Sequence, residues 1–484
     1  MAPDLPSQAA PVRRLPQRRL PPDVPHMAPT RSLRLQTLGL WLRAHQRPLW
    51  WAQWAVVAVY AVLLVVPALL PLPGATARVW SNLTLFAQFV FWGLWWPGVL
   101  LSVLLFGRLW CGIFCPEGAL TAFASRHGRG RAIPHWLRWP GWPFAAFALT
   151  TVYGQMISVY HVPQATLLIL GASTLAAVLT GYLYGREKRV WCRYLCPVNG
   201  VFGLLARLAP VHFAVDARAW DACAPDRARL MRFNCEPMVP VRTMESAAPC
   251  HMCGRCAGFR DAVTLAPRLP GSEIVTAGAR TATGWDSLLI IAGMIGLATA
   301  AFLWGTSPWF AALRQAVPQG LAEVGLRDLR ETALPWWVLA SRPGWPGGAT
   351  VADGLALSAW LAGGAALLSL LVALPLALAT RILGRWSWPR FHHLAQSLIP
   401  VAACGLILGL SDLTVTLLRA EGLAAVTGLR LAVAGLAVAG SLVLAWQIAR
   451  QSVAPPWRRV AATGAVAAAL LPPLGCWGLL FGWW

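Results

Sequence analysis

Nine apolar stretches punctuate the chain, near residues 50–72, 84–107, 143–161, 165–184, 286–304, 355–379, 394–418, 430–449 and 460–483. Each is about 20 residues long, enough at 1.5 Å per residue to cross a hydrocarbon layer of about 30 Å as a helix. The ninth is the weakest, because Pro472 and Pro473 interrupt it. Only 12% of the 484 residues are charged, against about 25% in a soluble domain. Twenty-eight tryptophans suit a protein with two water–lipid interfaces to anchor. The chain reads as an all-α polytopic membrane protein with about 8–9 transmembrane helices and a lipid bilayer as its first partner.

The charge is lopsided, with 40 basic against 18 acidic residues, a net of +22. Lys188 is the only lysine and Arg189 follows it, so no P-loop with its lysine and hydroxyl is present. The basic segments are the N-terminal tail, 108–140, 185–285, 380–390 and 450–459, and all fall on one side of the spans. The loops at 73–83 and 162–164, on the other side, carry almost no charge, and the longer one at 305–354 mixes both signs. Under the positive-inside rule the basic side is cytoplasmic. The arginines then sit where a membrane protein needs them, and no nucleic-acid partner is expected. Four regions follow: a basic Pro/Arg-rich tail at 1–49, disordered in part; a four-helix membrane core at 50–211; a cysteine-rich cytoplasmic domain at 212–284; and a second membrane region of 4–5 helices at 285–484. At about 70 residues the third has a marginal core without a metal or other staple.

Nine of the eleven cysteines lie between positions 111 and 256. The run Arg108-Leu109-Trp110-Cys111-Gly112-Ile113-Phe114-Cys115-Pro116 recurs as Arg189-Val190-Trp191-Cys192-Arg193-Tyr194-Leu195-Cys196-Pro197, at an offset of 189 − 108 = 81. Each copy follows a span descending to the cytoplasmic side, so an internal duplication places two equivalent turns at equal depth. Cysteines four apart share one face of a helical turn, and the proline after the second keeps the helix from running regularly through the pair. Cys111, Cys115, Cys192 and Cys196 are therefore expected to converge on one redox site, with Arg108 and Arg189 offsetting its negative charge. The other arrangement keeps the pairs separate, each a dithiol or the lender of its Cys-Pro cysteine to a ferredoxin-type cluster.

A third group, Cys250, Cys253 and Cys256, forms a C-x2-C-x2-C run of the kind that wraps three irons of a cubane, the fourth thiolate coming from a distance. Cys235 is the nearest good donor, with Cys223 in reserve. Four thiolates would equally hold a structural zinc. A reducing cytoplasm disfavours disulfides, and no C-x2-C-H is present for haem c. Cys404 and Cys476, inside apolar spans, read as packing residues. His161, His392 and His393 form no spaced intramembrane pair for haem b, and Asp412 lies near the outer end of its span.

Twin W-C-x3-C-P motifs followed by a ferredoxin-type run resemble the membrane polyferredoxins of the NosR and NapH type, with the cytochrome oxidase assembly protein CcoG as a relative. The resemblance covers roughly residues 50–265. It implies one [4Fe–4S] cluster with room for a second, electron transfer at the bacterial inner membrane, and a redox partner protein or quinone, in a respiratory or metal-centre maturation pathway. NapH-like chains carry two complete four-cysteine motifs where this one has an incomplete run, and the flavin domain of NosR finds no counterpart before residue 50. Two other functions compete. In one the twin thiolates bind and reduce a soft ion such as copper. In the other they relay metal to a permease built from the later spans, which offer few polar groups.

Overall fold

A computed structural model describes residues 32–74, 77–224, 233–326, 328, 332–340, 349–421 and 427–482. Its first element is helix α1 (Leu33–Ala44), followed by α2 (Gln46–Leu69) and α3 (Leu83–Phe106). Next come α4 (Pro116–Arg126), α5 (Trp142–Met156), α6 (Pro163–Tyr184), α7 (Val190–Tyr194) and α8 (Asn199–Ala206). Strand β1 (Val211–Val215), helix α9 (Ala217–Ala222) and strand β2 (Val263–Pro267) lead into α10 (Gly284–Leu303) and α11 (Pro308–Glu323). The chain ends with α12 (Val351–Ile382), α13 (Trp388–Arg419), α14 (Gly428–Arg450) and α15 (Pro456–Phe481).

Among the described residues eight helices, α2, α3, α6, α10 and α12 to α15, are long and apolar enough to cross a membrane. The multi-pass reading holds. The expected span at 143–161 is a shorter helix, α5, of 15 residues. Its stop is local: Ser158 takes φ 55° and the Val159 N–H returns 2.9 Å to the Gly154 carbonyl, a C-terminal closure that turns the chain out of the helix. By contrast, Pro472 and Pro473 leave α15 continuous; neighbouring groups take up the backbone bonds that prolines forfeit in a membrane helix. Of the tail, 1–31 lies outside the described residues. From Leu33 it is helical, because Gly39 lets α1 sit on Leu265 of β2 and Leu42 is buried.

The duplication is visible as an exchange. Helix α4, which follows the first cysteine motif, packs along α6, the span that leads into the second. Helix α8, which follows the second motif, packs on α3, the span that leads into the first. This crosswise packing draws the two motif turns together at the end of the bundle where the arginine-rich segments lie. Behind them Trp110 packs edge-on against Trp95 at 5.2 Å, and Trp92 stacks with Trp96 at 6.4 Å, forming a stiff apolar wall. Part of α3, Phe89–Trp95, is π-wound, and there the Thr414 hydroxyl donates to the Gly93 carbonyl at 3.0 Å. Side-chain insertion of this kind accounts for a local change in winding.

The cysteine-rich segment is built on an antiparallel pair, β1 with β2, in register from Val211 opposite Pro267 to Val215 opposite Val263. Phe213, Val263, Leu265, Met252 and Phe259 form its small core, and Cys235, Cys250 and Cys256 line that core. The buried pair of Arg268 and Glu273 anchors it to the membrane bundle. Arg268 donates 2.7 Å bonds to the Ala206 and Ala209 carbonyls beside α8, while Glu273 accepts from Ser246 and the Ala247 N–H.

Candidate metal centre

In both copies of the repeat the second cysteine closes the same turn. The Cys115 N–H donates to the Trp110 carbonyl at 2.8 Å, and the Cys196 N–H to the Trp191 carbonyl at 3.0 Å. The windings still differ, since Trp110–Phe114 is π-helical and α7 is an ordinary turn. Cys115 then caps α4, its sulfur accepting the Gly118 N–H at 3.4 Å, and Pro116 opens the helix where no N–H is needed. The four cysteines of the twin motifs lie within electrostatic range of one another, Cys115 of Cys111 and Cys192, and Cys196 of all three.

A residue that sequence reasoning missed stitches the copies together. Glu117 accepts the Trp191 indole N–H at 2.9 Å and the Ser173 hydroxyl at 2.6 Å. Burial raises its carboxyl above the usual range and those two hydrogen bonds oppose the rise. The only signal in the sequence was an acid following a Cys-Pro pair.

The second set gathers in the β1–β2 domain. Cys250, Cys253, Cys256 and Cys235 interact with one another, whereas Cys223 sits at the end of α9 with its sulfur turned to the Ala224 carbonyl. The sulfur of Cys250 accepts the Met252 N–H and that of Cys235 the Val239 N–H, both at 3.4 Å. Met252 and Gly254 take positive φ of 54° and 77°, winding the run into the kind of concave loop that presents backbone N–H groups to an anion or iron–sulfur cluster. Burial pushes the Cys192 and Cys250 thiols up to about 12. Ionised sulfurs here therefore need a cation, which the iron of a cluster supplies. Among the described residues no three His, Cys, Asp or Glu side chains are drawn into a site for one metal ion. The donor chemistry, the N–H to sulfur bonds and the left-handed loop fit a cluster that takes one thiolate per iron.

The two sets adjoin. Gly112, between the first pair, lies on the three-cysteine run so closely that an added Cβ would stand 2.1 Å from the His251 carbonyl oxygen and 3.0 Å from the Cys253 nitrogen. Arg189, 3% exposed, spans the junction. Its Nε stands 2.6 Å from Glu236 Oε2, its Nη1 donates to the Cys111 carbonyl at 2.8 Å, and its N–H donates to the Glu236 carbonyl at 2.8 Å. Arg108 donates at 2.8 Å to both the Ala248 carbonyl and Asn199 Oδ1. Burial, with Arg108, Arg189 and Arg193 nearby, holds His251 well below the usual histidine range and so neutral. A polar cavity of about 20 Å³, lined by Gln46, Gln53, Arg189, Cys253 and Arg255 among others, has room for one water beside the junction.

Two segments of the chain, 88–134 and 165–215, match the family model described as a 4Fe–4S binding domain. The chain carries a 4Fe–4S binding domain. The matched segments contain all four cysteines of the twin motifs and stop short of the run at 250–256. YccM of Escherichia coli, named for electron transport, is 24% identical over 246 residues, covering 45% of this chain and 67% of that one. MauN of Paracoccus denitrificans, named a methylamine utilization ferredoxin-type protein, is 27% identical over 180 residues, covering 32% of this chain and 59% of the relative. The chain thus spans about two thirds of the first and less than two thirds of the second. No solved structure matches it. The cofactor is a [4Fe–4S] cluster.

The remaining candidates have ordinary partners. His392 Nδ1 meets the Ser287 hydroxyl at 2.9 Å and its ring stacks on Trp388, while His393 Nε2 meets the Ile274 carbonyl at 2.8 Å. Asp412 lies 3.4 Å from Arg430. Cys404 and Cys476 pack in one apolar cluster with Leu408 and Trp477.

Proposed function

We propose that this protein is a membrane-bound relay that passes electrons singly between two adjoining four-cysteine centres at the cytoplasmic face of a bacterial inner membrane. Cys235, Cys250, Cys253 and Cys256 hold a [4Fe–4S] cluster in the β1–β2 domain, and Cys111, Cys115, Cys192 and Cys196 hold a second at the membrane boundary. A cluster supplies reversible one-electron chemistry with no bond made or broken in the protein. The chain's own residues bury the sulfurs, orient them through backbone N–H groups and keep the two centres in contact. The observation that carries this reading is the close backbone approach of Gly112 to the His251–Cys253 segment, which sets the first motif turn directly against the three-cysteine loop.

The electron donor and acceptor are a redox partner protein or a quinone, as for chains of the NosR and NapH type, and the concentration of arginine on the cysteine-bearing side supports the cytoplasmic orientation. The test is anaerobic purification followed by iron and sulfide analysis and EPR of the dithionite-reduced protein. Two clusters per chain, with about eight irons and eight sulfides, are the expected result. One cluster refutes the relay, and one zinc or copper without sulfide refutes the cofactor assignment.

A further inference from the structure

Between the two cysteine sets lies a buried charge cluster that no simple account of cysteine ligation requires. Arg189 belongs to the second motif by sequence, reaches the first through the Cys111 carbonyl, and meets the ferredoxin-type loop at Glu236, the residue after Cys235. Glu236 is held from its other side by Arg255, which sits inside the C-x2-C-x2-C run, and Arg255 in turn takes Gln46 Oε1 at 3.1 Å. The Glu236 side chain is 10% exposed and that of Arg189 4%. Two arginines against one carboxylate leave a net positive charge; Arg189 and Glu236 are poorly screened by solvent, whereas the Arg255 side chain is 29% exposed. Taking such charges out of water is costly, and a hydrogen-bonded pair recovers that cost only in part. For folding alone, apolar side chains of similar volume would serve as well.

Resting on the two-centre reading above, we propose that the Arg189–Glu236–Arg255 triad is a positioning element that sets the reduction potentials of both centres together. The physics is Coulombic. Reduction adds one negative charge to a centre, and a guanidinium at its edge stabilises the reduced form. Arg189 donates to the Cys111 carbonyl and lines one cavity with Cys253, members of both sets, so a single charge acts on two centres at once. Glu236 moderates the effect. In the transfer one centre loses an electron and its neighbour gains it; no proton or bond changes, and a shared bias moves both potentials while leaving their difference unchanged. Arg108 lies near Cys192 and Cys250 and adds to the same field, its guanidinium held by the Ala248 carbonyl and Asn199 Oδ1.

The test is a redox titration of the purified holoprotein followed by EPR, on wild type, Arg189→Gln, Arg189→Lys and Glu236→Gln. Arg189→Gln lowers both midpoint potentials, Glu236→Gln raises both, and Arg189→Lys leaves both close to wild type. Glu236→Gln is nearly isosteric, so it reports even where Arg189→Gln assembles poorly. A triad that only supports packing would lower cluster occupancy without moving the potentials of the clusters that remain, and that result overturns the proposal. A shift at one centre alone overturns it too. If wild type shows no pair of iron–sulfur signals, the two-centre reading fails instead, which separates the two outcomes.

Discussion

Gly112 and His251 meet backbone to backbone, the first in a turn at the membrane boundary and the second in the loop of a small β domain. A Cβ at position 112 would stand 2.1 Å from the His251 carbonyl oxygen, a clash with backbone that no rotamer change relieves. Gly112→Ala is therefore expected to push the two cysteine sets apart at a cost of about 1–3 kcal/mol. Iron content should survive while magnetic interaction between the two reduced centres weakens. An unchanged EPR interaction would show that the contact is incidental.

Cys235 and Cys223 give opposite expectations, since the structure groups Cys235 with the C-x2-C-x2-C run and leaves Cys223 at the end of α9. Cys235→Ser should remove the domain's cluster and open 212–284 to protease, because metal binding in so small a domain is folding energy. Cys223→Ser should leave iron, sulfide and protease resistance at wild-type levels. The reverse pattern would reassign the fourth ligand.

The twin pairs are expected to act as one centre, because the packing of α4 on α6 and of α8 on α3 draws the two motif turns together. Cys111→Ser and Cys192→Ser should each abolish the same EPR signal and leave the signal of the β domain in place. Two separable losses would mean that each pair serves its own purpose.

Glu117 should matter to this centre without being a ligand. Glu117→Leu strands the Trp191 N–H and the Ser173 hydroxyl in an apolar wall, which costs about 1–3 kcal/mol for each unsatisfied group. Loss of the membrane-boundary cluster with retention of the other is the expected readout. Normal occupancy of both would leave Glu117 a bystander.

His212 gives the β domain a pH dependence. Burial, with Arg268 nearby, lowers its pKa from 6.5 to about 4. Between those values the unfolded chain binds a proton that the folded domain refuses, so stability falls as pH drops from about 6.5 and levels off below about 4. The shift corresponds to roughly 3 kcal/mol at most. Proteolysis of the domain at pH 7 and at pH 5 should diverge in wild type and much less in His212→Gln; parallel behaviour of the two proteins would assign the acid sensitivity elsewhere.

What a local window of sequence contains was enough for much of this protein. Apolar length announces a membrane helix wherever it occurs, so the eight long helices were legible, and α5 fell short only because the chain reverses at Ser158. The offset of 81 between the motifs and the spacing of Cys250, Cys253 and Cys256 were legible for the same reason, since ligand spacing is a property of consecutive residues. The crosswise packing of α4 on α6 and α8 on α3, the Glu117 bridge and the Arg189–Glu236 pair were decided only in three dimensions. Each joins residues tens of positions apart, and no periodicity in the chain encodes which distant segments will meet. Helix α1 shows the limit most plainly. Its composition reads as a solvated basic tail, and it is ordered only because Gly39 and Leu42 find β2 and the cysteine loop, more than 200 residues downstream, to pack against.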